Sequence, residues 1–263
     1  MFSKYEQPTR VVPLEGGVNF RDLGGYVNER DQQVQWRKIF RCGHLGDLTA
    51  TDLDALEHLN VTHVHDFRRS EEQERTPSQP IRATVYNDYE MFVGSMSKFW
   101  DYMSSDRLTA ESAHDLVVGS YRGCVDDVAP HYARLFDSLL SPETGASVFH
   151  CSAGKDRTGM AAALILSALD VDRSTVIDDY LLTQQHFDSE RLMNIVEQHL
   201  RDAKVEHWER SWLVPYCGVH RDNIEAFFDG VESRYGSVDD YLLKALKLDG
   251  ERRNQLRQLY LED

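Results

Sequence analysis

Residues 150–159 read His-Cys-Ser-Ala-Gly-Lys-Asp-Arg-Thr-Gly, and the apolar Ala-Leu-Ile-Leu of 163–166 follows them. A thiol, an ammonium, a carboxylate and a guanidinium thus fall within seven residues, where a hydrophobic core would not hold them. Five residues separate Cys151 from Arg157. That is enough for a loop whose backbone N–H groups curl onto one point. A helix starting there adds the partial positive charge of its free N–H groups. Such a cradle fits a tetrahedral dianion. Ser152, Ala153, Gly154, Lys155, Asp156 and Arg157 are the candidate phosphate contacts, and the Arg157 fork suits two non-bridging oxygens. Cys151, at the bottom, is the candidate nucleophile, because helix termini and nearby cations turn a thiol into a thiolate. Thr158 offers a hydroxyl to the sulfur, Gly154 a tight turn, Gly159 close helix packing, and His150 ring N–H groups that orient the loop. Asp156 is a candidate acid for the leaving oxygen.

Other chemistry-bearing residues are less demanding. His63 and His65 share one face of a strand, as in some metal-dependent hydrolases, but no second cluster with ligand spacing follows. No metal or cofactor is therefore assigned. Cys42, Cys124 and Cys217 form no CxxC pair and read as buried thiols. Arg21 and Asp22 read as a structural ion pair or a pocket wall. Arg41 and Arg68 either add positive charge near the phosphate or pair with surface acids. Lys155 either selects substrates of higher negative charge or is a solvated loop lysine.

These residues need elements to hold them. The segment 61–67 (VTHVHDF) is β-branched and strand-like, and 147–150 (SVFH) is a second strand ending at the loop. A helix starts at Arg157, and its stretch 159–169 is mostly apolar. Thr51 opens another helix with Asp54 at its capping-box position. Val128, Tyr132, Leu135, Phe136 and Leu139 mark a helix from Asp126, ended by Pro142 and Gly145. Residues 87–120 are ambiguous. The last ninety residues read as helices, among them one closed by Gly236 and one capped by Ser237 with Asp240. Strands with intervening helices, then helices alone, predict an α/β fold with a helical C-terminal extension. Residues 1–12 read as a loose tail, and 13–263 as one domain.

The chain has 263 residues, 41% hydrophobic and 28% charged, enough for a core without covalent help. No apolar run reaches membrane-spanning length, and MFSKYEQPTR lacks the apolar region of a secretory signal. A cytoplasmic protein is expected, although export without a cleaved signal leaves no such trace. The net charge of −15 argues against nucleic acid or an anionic membrane as partner, without opposing a small anionic substrate.

HCSAGKDRTG resembles the phosphate-binding loop of the cysteine-dependent protein tyrosine phosphatases. More narrowly, it resembles the HCxxGKDRTG branch of bacterial and fungal tyrosine/serine phosphatases, some of which accept phosphoinositides. NFRDLGGY (19–26), RCGHLGDLTATDLDAL (41–56), DFRRSEE (66–72), YRGCVDDVAPHYARLF (121–136) and DDYLLT (178–183) resemble that branch's blocks in the same order. The resemblance implies a central, largely parallel sheet flanked by helices, and hydrolysis through a phosphocysteine. The substrate would be a phosphorylated protein, small molecule or lipid headgroup: phosphotyrosine first, with phosphoserine, phosphothreonine or phosphoinositide as further candidates. Arsenate reductases and sulfurtransferases share the Cys-to-Arg spacing but lack these flanking blocks. The Trp-Pro-Asp acid loop of many tyrosine phosphatases has no counterpart here, so Asp156 and Asp66 remain two candidates for the acid. Residues 186–221 are read as a helical lid or as ordinary packing on the sheet. A phosphate-reading module without turnover is the rival, and a hydrolase using His63 and His65 a more distant one.

Overall fold

The computed structural model describes residues 8–91, 108–141 and 145–263. Five strands form the main sheet in the order β1 (Arg21–Asp22), β3 (Ile39–Cys42), β6 (Ala146–His150), β4 (Val61–Asp66) and β5 (Thr84–Tyr86). All neighbours are parallel except the antiparallel edge pair β1–β3. β6 is therefore the central strand, buried at all five positions. The chain leaving its carboxyl end emerges between β3 and β4, the place where ligands bind in open parallel sheets. Register sets Cys42 and Asp66 on either side of His150.

Alternation along the strands divides the core. Ile39 and Phe149 join one cluster with helices α3 (Ala110–Gly123), α4 (Val125–Leu139) and α5 (Asp156–Ala168). Phe40, Cys42, Val64 and Val148 join another with Leu56 of α1 (Ala50–His58). The helix α5 that starts at the loop is buried along most of its length, from Thr158 to Leu166. Among the described residues no helix is long and apolar enough to cross a membrane.

Several expectations shift. The capping box of α1 is Thr49 with Asp52, not Thr51 with Asp54. Both pairs have the same spacing, but Asp52 also accepts from the Glu15 and Gly16 amides, and this tertiary anchor decides. The ambiguous span yields α3, while 92–107 lie outside the described residues. So does Pro142; α4 closes at Leu140. Val11 bridges Arg21 and Val12 is buried, so the fold engages the chain earlier than residue 13. The C-terminus is not purely helical either. After α12 (Gly250–Tyr260), β7 (Leu261–Glu262) pairs with β2 (Gln33–Val34).

A third cluster stands apart. Met193 and Leu200 of α8 (Ser189–Asp202), with Leu213 and Cys217 of α9 (Arg210–Cys217), pack against Ala113 of α3. The segment 186–221 thus rests on a helix rather than on the sheet.

Candidate active site

The loop after β6 is shaped from outside by its carbonyls. Ser152 accepts from the His44 amide at 2.9 Å. Gly154 accepts from Asn19 Nδ2 at 2.9 Å and from an Arg41 terminal nitrogen at 3.0 Å. Because C=O and N–H of a trans peptide point in opposite directions, the Ala153 and Lys155 amides face away from these partners. Gly154 has φ +67°, and a Cβ there would stand 2.5 Å from the Cys42 carbonyl carbon. Gly159 is required for a different reason: a Cβ would fall 2.7 Å from the Tyr180 ring. The Thr158 hydroxyl donates to Cys151 Sγ at 3.2 Å. Cys151, Lys155, Asp156 and Arg157 all line a cavity of about 660 Å³.

Arg157 is clamped by Glu72 of α2 (Ser70–Arg75) through two bonds of 2.7 and 2.8 Å. A third bond reaches the Phe67 carbonyl at 3.1 Å. The two-point contact fixes the plane of the guanidinium as well as its position. Glu72 also accepts from the Ser152 hydroxyl at 2.6 Å. Burial pushes the Glu72 carboxyl up, but Arg157 and Ser152 outweigh it and hold the group well below the usual carboxylate range. Tyr132 donates to the Arg157 carbonyl at 2.7 Å, anchoring the same residue from behind.

Beneath the loop lies a buried charge network. Arg41 meets Asp179 of α6 (Arg173–Leu181) at 2.5 Å, and Arg21 approaches the other carboxylate oxygen at 3.7 Å. Arg21 also donates to Thr183. Burial, followed by the charge of Arg41, pulls Arg21 down to about 10, so it remains protonated at neutral pH. Two guanidiniums against one carboxylate leave one positive charge under the loop, which favours an anion above it. Arg21 and Asp22 do not pair with each other; Asp22 faces Arg37 instead.

The two candidate acids differ in what holds them. The sheet does bring Asp66 beside His150, as its placement there requires. Its carboxylate, however, is filled by Arg68: three side-chain bonds of 2.7 to 3.1 Å and one from the Arg68 amide. Arg68 spends its remaining donors on Thr76 and Ser78. Neither residue lines the cavity, so the positive charge expected of Arg68 near the phosphate is neutralised at Asp66. Asp156 does line the cavity, with its side chain 33% exposed. One of its oxygens accepts from Tyr121, whose hydroxyl also bonds Tyr180 at 2.8 Å. The other oxygen is 3.6 Å from Lys155 Nζ.

Lys155 is not solvated. It is 4% exposed, and its ammonium donates to the Tyr216 carbonyl in α9. Burial lowers the His150 pKa to about 4, so a neutral ring sits between Asp66 Oδ2 at 3.7 Å and the Cys151 carbonyl at 3.3 Å. His65 is stacked on Tyr86 and bonded to the Tyr89 hydroxyl at 2.7 Å. Among the described residues no group of three His, Cys, Asp or Glu side chains could hold a metal ion.

A model described as "Tyrosine phosphatase family" matches residues 12–262. The chain belongs to that family. A Cupriavidus necator protein, whose tyrosine-phosphatase name is itself provisional, is 28% identical over 92% of this chain and 85% of its own. The tyrosine-protein phosphatase of Nostoc commune is 24% identical over 82% of this chain and 72% of its own. The triple specificity protein phosphatase PtpB of Mycobacterium tuberculosis is 25% identical over 89% and 94%.

Within this phosphatase, sequence reasoning singled out the loop but missed the residues that brace it. Glu72, Asn19, Asp179 and Tyr121 lie in the blocks 66–72, 19–26, 178–183 and 121–136, yet nothing local distinguishes them from surface polar residues. Arg41 was visible as a cation, but its partner was not a surface acid. It is fully buried on Asp179.

Proposed function

We propose that the chain hydrolyses phosphotyrosine through a phosphocysteine formed on Cys151. The observation that carries this reading is the convergence, in one cavity, of a sulfur with a hydroxyl donor and a guanidinium fixed at two points. Arg157 and the loop amides take the non-bridging oxygens, and Sγ attacks phosphorus as the bond to the tyrosyl oxygen breaks. Asp156 gives its proton to that oxygen, from the carboxyl oxygen that Tyr121 leaves free. A water then attacks the phosphocysteine, passes its proton to Asp156, and releases inorganic phosphate and the Cys151 sulfur. Thr158 stabilises the departing sulfur.

Phosphoserine, phosphothreonine and phosphoinositide headgroups belong to the same proposal, supported by the cavity volume of about 660 Å³. Asp66 is read as a positioning residue. It fixes the guanidinium of Arg68, which in turn donates to the Thr76 carbonyl and the Ser78 hydroxyl after α2.

The test is aryl-phosphate hydrolysis with chelator present throughout. Cys151→Ser should lower turnover by about 10⁴-fold or more. Activity that survives this change sinks the reading. Vanadate binding by an inactive wild type would favour a phosphate-reading module instead. Asp156→Asn should steepen the dependence of rate on leaving-group pKa, and Asp66→Asn should not; the reverse would exchange their roles.

A further inference from the structure

We infer that Arg75 and Arg191 form a second anion-binding subsite in the same cavity, which selects phosphotyrosyl peptides carrying acidic residues beside the phosphotyrosine. The inference rests on the proposed hydrolysis only for the position of the first phosphate.

The observation is one of unequal pairing. In this acidic chain the described arginines are engaged with carboxylates or carbonyls, from Arg10 at the start to Arg257 at the end. Arg75 and Arg191 are the exceptions: among the described residues their side chains have no ion-pair or hydrogen-bond partner. Both line the cavity that holds Cys151. Two unpaired guanidiniums in one recess, on a molecule of net charge −15, are a local reversal of the global field.

Their elements place them suitably. Arg75 follows Glu72 by three positions on α2, so the two share a helix face. Glu72 reaches inward to Arg157, and Arg75 stands about one turn, roughly 5 Å, further along the same face. Arg191 comes from the first turn of α8, across the chain from α2. Asp188, which lines the same cavity, places its carboxylate on the Arg191 backbone amide and not on the guanidinium. The Arg191 charge reaches the His44 ring, another lining residue. Phe187, Leu192, Ile195 and Val196 line the same cavity and offer an apolar wall for a side chain next to the phosphotyrosine.

An anionic bilayer could present a second phosphate too, but it would bring a large negative surface up to a strongly acidic protein. A short soluble peptide places its one or two carboxylates without that repulsion.

The experiment compares two phosphotyrosyl peptides that differ only in Glu or Gln at the flanking positions. For wild type at low salt, kcat/KM should favour the acidic peptide about fivefold, as two exposed ion pairs allow. In the double variant Arg75→Gln, Arg191→Gln the ratio should fall to about one, and in Arg75→Lys, Arg191→Lys it should largely return. Because each value is a ratio within one protein, partial loss of folding cancels. A wild-type ratio near one, or a ratio unchanged in the Gln variant, overturns the subsite. So does a loss confined to vesicles of phosphatidylcholine with a phosphoinositide, which would assign the arginines to a lipid headgroup. If aryl phosphate is not turned over at all, the Cys151 reading fails by itself. The peptide ratio, then measured as dissociation constants, still tests the arginines.

Discussion

On the sheet side of the phosphate loop the charged groups are buried and tied down: Arg21 and Arg41 share Asp179, and Asn19 and Arg41 take the loop carbonyls. On the helical side the cover is loosely committed. Ile195 of α8 is 44% exposed, Arg191 has no partner among the described residues, and one ammonium bond joins Lys155 to α9. The contrast follows from what each side must do. A cradle that stabilises developing charge must be rigid before the substrate arrives, so its dipoles are fixed by partners that cost no rearrangement during the reaction. A surface that receives the rest of the substrate cannot have its groups already satisfied.

The deepest way to break this contrast is Asp179→Asn. It leaves two buried guanidiniums facing each other with no carboxylate between them, and removal of one partner from a buried pair costs about 3–5 kcal/mol. Urea unfolding should show a loss of that order, with hydrolysis falling alongside. The pH dependence has a definite sign. Burial raises the Asp179 carboxyl, but Arg41 and Arg21 win and lower it below its ordinary 3.8. Its stabilisation is therefore complete above that value and is lost as pH falls through the depressed folded pKa. The Asn variant should lack this part of the acid sensitivity. If stability changes by less than about 1 kcal/mol, the network is not the rigid base described here.

Glu72→Gln probes the boundary between the two regions, because Glu72 holds Arg157 on one side and Ser152 on the other. The amide retains one acceptor but loses the charge and half of the fork. A loss of about 2 kcal/mol, or roughly 30-fold in kcat/KM, is expected, with a smaller effect on unfolding. Equal loss of stability and activity would mean that the clamp is only structural.

How far these roles were legible depends on the range of the contacts. The strand at 147–150 and the mostly apolar helix after the loop are legible from composition, the helix over Val128–Leu139 from its periodicity, and the loop from its own residues. The braces do not. Glu72 and Arg157 are 85 residues apart, and Asp179 and Arg41 are 138 apart, so only the folded sheet brings them together. Asp66 shows the opposite difficulty. The sheet does place it beside β6, but Arg68, two residues further on, occupies its carboxylate, and no spacing rule distinguishes a free carboxylate from a filled one. Even the helix cap at Thr49 was decided by the distant amides of Glu15 and Gly16.

The smallest effect is expected where the loop meets its cover. Lys155→Met keeps most of the buried stem and removes the ammonium that donates to the Tyr216 carbonyl. The net value of such a bond is about 1 kcal/mol. Because α8 and α9 rest on α3 through a small cluster of their own, the loss should be local rather than global. We propose that this cover moves as a lid. Amide exchange in α8 and α9 should then quicken in the Met variant, while exchange in β6 and α5 stays as in wild type. Vanadate, by drawing the loop and its cover together, should slow exchange in the same helices of the wild type. Uniform exchange across both regions would show instead that the cover is as firmly held as the sheet side, and that the bond to Tyr216 is ordinary packing.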